Sequence, residues 1–235
     1  MCLFASFQAP KIATDARAEG KNYYCVNQWQ NTANRMAHYL STGPEIMQQT
    51  NGKIDAFCCA TGTGGTIGGV SRYLKEVSPA TKVVLLDCPG SALFNYRMHG
   101  LPNDDKVLAG EKWCSKPTMG EGSSPATEGI GNSIVTENME GLQEYTDFAI
   151  RVEDRDTIRM VHSLLHTEGI FVGGSAGLNV CGAVELAKKM GPGHTIVTVL
   201  CDSGFRYGTK LFNKKWLEEK GLLQHLPPEH QASCV

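Results

Sequence analysis

The chain has 235 residues, long enough for one sizeable core with appendages. Hydrophobic residues make up 41% and charged residues 20%, and the formal net charge of −2 gives no electrostatic case for nucleic acid or an anionic membrane. No apolar run approaches the roughly 18 residues of a membrane-spanning helix, and the apolar start Met1 to Phe7 lacks the basic region of a secretion signal.

Residues 1–21 show no clear period and no motif, and are expected to form an unmatched leader. Tyr23-Tyr-Cys-Val-Asn27 predicts a short strand, followed by a polar segment to Pro44 and a helix around Glu45 to Gln49. Asn51-Gly52 turns the chain into an apolar strand, Ile54 to Ala60. Then come Thr61-Gly-Thr-Gly-Gly-Thr-Ile-Gly-Gly69, a helix through Tyr73 and Leu74 that stops before Pro79, and a buried strand, Lys82 to Asp87. Strand, glycine loop, helix and strand make one βαβ unit, which implies a parallel sheet covered by helices.

Residues 89–138 are rich in Gly, Pro and Ser and are expected to be irregular, with shorter elements that the pattern does not place. Phe148, Ile150 and Val152 alternate as a strand does. Ile158, Val161, Leu164 and Leu165 lie on one stripe of a helix that Gly169 can end. Ile170 to Val172 is strand-like, Ser175-Ala-Gly177 opens a helix that runs to Gly191-Pro192, and Thr195 to Cys201 predicts a last strand. His162 and His166 stand i,i+4 on a helix, a spacing that can bind metal. With no third ligand nearby in sequence they are expected to be surface histidines, and no metal site is predicted. The nine cysteines are scattered without a C-x-x-C pair, which points to reduced thiols inside a cell. The expected location is cytoplasmic, with a mitochondrial one open.

A strand feeding a glycine cluster that opens a helix is suited to an anion, because backbone N–H groups converge there and the helix dipole favours phosphate. Glycines can also serve only for tight packing, but five of them from Gly62 to Gly69, with Thr63 and Thr66 between, favour the phosphate reading. The dinucleotide fingerprint fails at its last position, where Ile67 stands, although Asp87 mimics the acid that grips a ribose. On this pattern alone, a nicotinamide-dinucleotide site and a single-phosphate cofactor site both stay open.

Six segments in order extend the reading. Gly62-Thr-Gly-Gly-Thr66 resembles the phosphate loop of the cysteine synthase and cystathionine β-synthase family of fold-type II pyridoxal-phosphate enzymes. Gln30-Asn-Thr-Ala-Asn34 with His38-Tyr39, Thr42-Gly-Pro-Glu-Ile46, Glu128-Gly-Ile-Gly131, Gly169 to Gly177 and Cys201-Asp-Ser-Gly-Phe-Arg-Tyr207 resemble its other signatures. Together they cover residues 22–223, leaving 224–235 as a tail. The resemblance implies an α/β fold of three layers, an open and mostly parallel sheet with helices on both faces, with the amino-terminal part of the family fold missing. It also implies that Gly62, Thr63, Gly64, Gly65 and Thr66 hold the cofactor phosphate and that Ser203 bonds the pyridine nitrogen. Gly129, Ile130 and Gly131 would form the substrate-side loop. A neutral serine leaves that nitrogen unprotonated, which suits elimination and replacement at the β-carbon.

The family's Schiff-base lysine sits in an S-x-K-D-R-type segment, and this chain contains no such segment. Lys11, Lys21, Lys53, Lys75, Lys82, Lys106, Lys112, Lys116, Lys188, Lys189, Lys210, Lys214, Lys215 and Lys220 all stand in other contexts and are expected to be solvated surface lysines. The resemblance therefore implies a cysteine synthase relative, acting on a small amino-acid substrate and forming a homo-oligomer. It would bind pyridoxal 5'-phosphate non-covalently at best and be inactive as an isolated chain. A cystathionine β-synthase-type enzyme and a non-catalytic binding derivative are the alternatives, because Gly174-Ser-Ala-Gly177 suits the former and the absent lysine the latter.

Overall fold

The computed structural model describes residues 2–100, 112–113, 124–132 and 134–234. Helix α1 (Cys2–Ala18) lies in the segment without visible period. From Gln8 onward only Ala13 and Ala16 of its side chains are buried, so no apolar stripe marks it in the sequence. Next come α2 (Ala33–Ala37), a π-helical turn (His38–Thr42) and α3 (Gly43–Gln49), with Pro44 in the first turn of α3, where its missing N–H costs nothing. Strand β1 (Ala56–Ala60), helix α4 (Gly65–Val77) and strand β2 (Lys82–Asp87) form the predicted βαβ unit. Helix α5 (Leu93–His99), the short strands β3 (Lys112–Trp113) and β4 (Ile134–Val135) and helix α6 (Leu142–Tyr145) follow. Strand β5 (Phe148–Arg151), helices α7 (Asp154–Glu168) and α8 (Gly174–Met190) and strand β6 (Ile196–Val197) complete the α/β part. A 3-10 turn (Gly204–Tyr207), α9 (Lys214–Glu219) and α10 (Pro228–Gln231) end the described chain.

The main sheet has the order β5-β2-β1-β6, and its three pairings are all parallel. Both of its faces are covered. Phe57, Cys59, Val83 and Leu85 pack against Ile67, Val70 and Leu74 of α4 and Leu93 of α5. Alternating with them, Ala56, Cys58, Val84 and Leu86 pack against Leu178 and Leu186 of α8. The period of two along each strand thus feeds two cores, which is why β1 and β2 read as continuous apolar runs. A third cluster joins Ile158 and Val161 of α7 to Tyr207, Leu211 and Leu217. The expected three-layer α/β class holds. Gly169, with φ of +68°, ends α7 as predicted, receiving the turn in which Ile170 N donates to Leu164 O. Among the described residues, no helix is long and apolar enough to cross a membrane.

Several expectations need correction. Tyr23 to Asn27 forms no strand and pairs with none among the described residues, and Tyr24 and Val26 are 73% and 69% exposed. Aromatic and β-branched content suits a strand only where a neighbour exists to receive it. The polar segment before Pro44 is helical, and the shorter elements expected within residues 89–138 include α5 and two short strands. Only Ile196 and Val197 of the Thr195 to Cys201 run form ladder pairs. Beyond them side chains take over, with Thr198 Oγ1 donating to Cys58 O and Asn179 Nδ2 to Val199 O. Ile170 to Val172 contributes one bridge, Val172 to Ser203. His162 is not a surface histidine: it is buried, its Nε2 is 2.9 Å from Leu211 O, and burial lowers its pKa. His230 from α10 stacks on His166 at 4.3 Å, a neighbour that sequence spacing could not show. Among the described residues no group of three or more such side chains could hold a metal ion.

Candidate functional site

Parallel strands send their carboxyl ends to one edge, and in open α/β sheets ligands bind there. Residues 61–64 leave β1 at that edge, residues 88–91 leave β2, and the stretch through Ser203 follows β6, the neighbour of β1. Asn179, buried on α8, ties two of these exits together: its Oδ1 accepts from Ala60 N at 2.7 Å and its Nδ2 donates to Val199 O at 2.8 Å.

The glycine loop has one-sided bonding. Thr61 O accepts from Gly131 N, Gly62 O from Asn132 Nδ2, Thr63 O from Thr136 Oγ1 and Gly64 O from Gly68 N, at 2.6–2.9 Å. All four carbonyls are therefore turned to the protein. The N–H groups of Gly62, Thr63, Gly64, Gly65 and Thr66 find no acceptor among the described residues. Gly64, the N-cap of α4, has φ of +88° and offers no side-chain oxygen to the first turn. That turn keeps its orphan donors, and the helix dipole adds positive potential at the same point. Gly64 and Gly65 are buried and the other three residues half-buried, and an anion would supply the partner that such donors call for.

Side chains complete the cup. Thr63 Oγ1 accepts from Asn34 Nδ2 at 3.0 Å, which leaves its hydroxyl hydrogen free to donate outward. Thr66 Oγ1 is 3.3 Å from His38 Nε2, and His38 Nδ1 is 3.0 Å from Thr42 Oγ1. Burial lowers the pKa of His38, which favours the neutral ring as the partner of the threonine hydroxyl. Thr61 Oγ1, buried beside the loop, has no partner among the described residues. Close packing also requires these glycines: a Cβ on Gly65 would stand 1.9 Å from Asn34 Oδ1.

The loop Glu128 to Gly131 lies directly against the cup. Gly129 and Gly131 both have positive φ, of +76° and +73°. Glu128 is paired with Lys210, and Ala126 O packs against Gly174 at the start of α8. A recess of about 90 Å³ lies between this loop and the exit of β2, lined in part by Cys88, Ser91, Thr127, Ile130 and Gly131. Larger recesses lie elsewhere. The one between α7 and α8 measures about 420 Å³ and the one at the amino-terminal edge of the sheet about 360 Å³. Neither touches the cup.

Ser203 is exposed and precedes the 3-10 turn, where its Oγ accepts from Phe205 N at 3.4 Å. Its hydroxyl hydrogen is left to donate, which suits an unprotonated ring nitrogen. No hydrogen bond joins Ser203 to the glycine loop among the described residues; they share the sheet edge only through topology. Asp87 is a structural cap, since Oδ1 accepts from Cys88 N and Oδ2 from Phe94 N, and the residue is 1% exposed. It is not free to grip a ribose, which removes the physical support for the dinucleotide reading.

The glycine loop and Ser203 thus offer hydrogen-bond donors at one sheet edge, and the described lysines engage neither of them. Lys75, expected to face solvent, is largely buried and bonds Asp147 and Thr81 O. Lys210 is held by Glu128. No lysine hydrogen-bonds Gly62 to Thr66 or Ser203 among the described residues; Lys106 and Lys116, and the side chain of Lys112, lie outside them. Asn132 and Thr136, which hold the cup from behind, were not found by sequence reasoning, because nothing in the stretch around them carries a period.

A parallel sheet with a loop of unpaired N–H donors at its carboxyl edge defines an α/β protein of the kind that binds ligands at that edge. Residues 6–202 match the family described as "Pyridoxal-phosphate dependent enzyme", and the chain belongs to that family. It is 46% identical over 215 residues to cysteine synthase 1 of Neurospora crassa, covering 91% of this chain and 53% of that protein. It is 42% identical over 219 residues to cysteine synthase 2 of Schizosaccharomyces pombe, covering 93% and 54%. The fold resembles an O-acetylserine dependent cystathionine beta-synthase from Helicobacter pylori, with a TM-score of 0.65 and 27% identity over 80% of this chain and 53% of that one. The chain spans about half the length of the curated relatives it matches.

Proposed function

We propose that this chain carries the cofactor-binding part of a cysteine synthase. Gly62 to Thr66 take the phosphate of pyridoxal 5'-phosphate, Ser203 takes its ring nitrogen, and Gly129 to Gly131 border the substrate. The observation that carries the reading is the one-sided bonding of the cup, in which carbonyls 61–64 are engaged and, among the described residues, the N–H groups of Gly62 to Thr66 are not. When bound, the cofactor supplies an electron sink for replacement at the β-carbon of an amino acid. The residues of this chain bind and orient it: the N–H groups and threonine hydroxyls neutralise phosphate charge, and the serine donates without protonating the ring.

The activity proposed for the whole protein is formation of cysteine from an O-activated serine and sulfide, in keeping with the names of the most similar relatives. Cystathionine formation is the second reading. It is supported by the Helicobacter neighbour and by a Dictyostelium discoideum cystathionine beta-synthase at 33% identity, and ranks lower on identity. A cytoplasmic, homo-oligomeric protein is the companion proposal. The isolated chain holds its cofactor without a covalent link and is inactive, because the positioned base and the proximity it provides are worth many orders of magnitude in rate. Borohydride treatment of the purified chain with the cofactor, followed by intact-mass measurement, tests this. No added mass and no cysteine formation above free pyridoxal phosphate are expected. A stoichiometric adduct on one lysine, with turnover, would overturn the reading.

A further inference from the structure

Ser203 is exposed and stands on a short turn, where a hydroxyl is free to change rotamer unless something fixes it. Its backbone is pinned on both sides: Gly173 N donates to Asp202 O and Gly204 N to Phe171 O, both at 3.1 Å. Its Oγ accepts from Phe205 N, a bond that exists only while the 3-10 turn Gly204–Tyr207 is closed. One contact spans that turn from end to end. Tyr207 Oη donates to Asp202 Oδ2 at 2.8 Å, with Tyr207 only 3% exposed. Asp202 Oδ1 is buried and has no partner among the described residues. The space for this pair depends on Gly173, where a Cβ would meet Asp202 Oδ1 at 2.3 Å and Tyr207 Cε2 at 2.5 Å. Arg206, 3.6 Å from Asp202 on the solvent side, is too exposed to fix the carboxylate.

We infer that Tyr207, acting through Asp202, is a positioning residue that holds Ser203 in place to donate to the ring nitrogen of the cofactor. Asp202 sits at one end of the turn and Tyr207 at the other. Their bond closes the loop that presents the serine, much as a clasp closes a ring. The inference rests on the cofactor reading above, and it concerns the ring end alone. The phosphate end, in the loop after β1, has its own set of bonds and should not sense the loss of the clasp.

Titration of the wild-type chain and of Tyr207→Phe with pyridoxal phosphate, and separately with inorganic phosphate, tests this. Loss of one hydroxyl should weaken pyridoxal phosphate about tenfold, the effect of about one well-placed hydrogen bond. Affinity for inorganic phosphate should stay within about twofold. Asp202→Ala should copy Tyr207→Phe, whereas Asp202→Asn, whose amide oxygen still accepts from Tyr207, should recover most of the affinity. If Tyr207→Phe does not fold, the Asp202 pair decides the matter. Equal affinity of Tyr207→Phe and wild type for pyridoxal phosphate, equal weakening of both ligands, or Asp202→Asn behaving as Asp202→Ala would overturn the inference. A wild-type chain that binds phosphate but gains nothing from the ring would overturn it too. A wild-type chain that binds neither ligand overturns the cofactor reading itself, and this inference with it.

Discussion

The carbonyl oxygen of Gly129 occupies the place of a side chain on Gly62: a Cβ built there would lie 2.1 Å from it. The glycine loop and the Glu128 to Gly131 loop, 67 positions apart in sequence, are therefore seated backbone to backbone, and Gly131 N donating to Thr61 O fixes their register. Gly62→Ala should push the two loops apart. Overpacking of this kind costs roughly 1–3 kcal/mol, and phosphate-ligand affinity should fall with it. Chemical denaturation and a phosphate titration measure the two effects, and a variant equal to wild type in both would contradict this seating.

The carbonyl holders can be removed one at a time. Asn132→Ala leaves Gly62 O without its partner, and Thr136→Val does the same for Thr63 O. Each should cost about 1–2 kcal/mol of stability. Each should also weaken phosphate binding about tenfold, because a carbonyl free to rotate toward the ligand repels it. The double variant should lose less than the sum, since both residues restrain one loop. Calorimetry on the three variants checks this, and fully additive losses would count against a shared restraint.

Asp87 gives a pH signature. Burial raises its pKa to about 6, against the hydrogen bonds from Ser91, Phe94 and Cys88 and the charge of Arg151, which act to lower it. The folded chain therefore keeps this proton over a range where the unfolded chain, near 3.8, has lost it. Between about pH 4 and pH 6 this group makes stability fall as pH rises, by on the order of 3 kcal/mol, with no further loss above. Asp87→Asn keeps an acceptor for Phe94 N and carries no charge. Its stability relative to wild type should grow across that window and then level off. A difference that stays constant from pH 4 to pH 7 would contradict the assignment.

Among the described residues strand β6 pairs only with β1, which leaves its outer side as a sheet edge there, and Leu200 just beyond it is 50% exposed. Open edges and exposed apolar groups invite association. Sedimentation velocity of the purified chain is expected to show a species larger than a monomer. A monodisperse monomer at tens of micromolar would contradict the proposed self-association.

Much of this architecture is readable from the residues. The βαβ unit announces itself because β1 and β2 are buried on both faces and α4 repeats Ile67, Val70 and Leu74 at helical spacing. The cup is readable for a related reason, since a loop that must present N–H groups and admit Gly129 O can be built only from small residues. What holds the cup is not readable. Asn132 and Thr136 reach it from about 70 residues downstream, out of a stretch with no period, and any polar residue there looks like loop. Tyr23 to Asn27 misleads in the opposite direction, because its composition suits a strand that no neighbour among the described residues completes. His162 misleads because burial depends on Phe212 and His230, which only the fold brings to it.

The most direct test compares pyridoxal phosphate with pyridoxal, which has the same ring and no phosphate, by equilibrium titration against the chain. The account places most of the binding in the N–H groups of Gly62 to Thr66, and charge-assisted bonds of this kind are worth about 1.5–3 kcal/mol each. Pyridoxal phosphate should bind at least about 100-fold more tightly than pyridoxal, and inorganic phosphate should compete with it. Equal affinity for the two compounds, or binding that inorganic phosphate leaves untouched, would contradict the central claim that this loop is a phosphate cup.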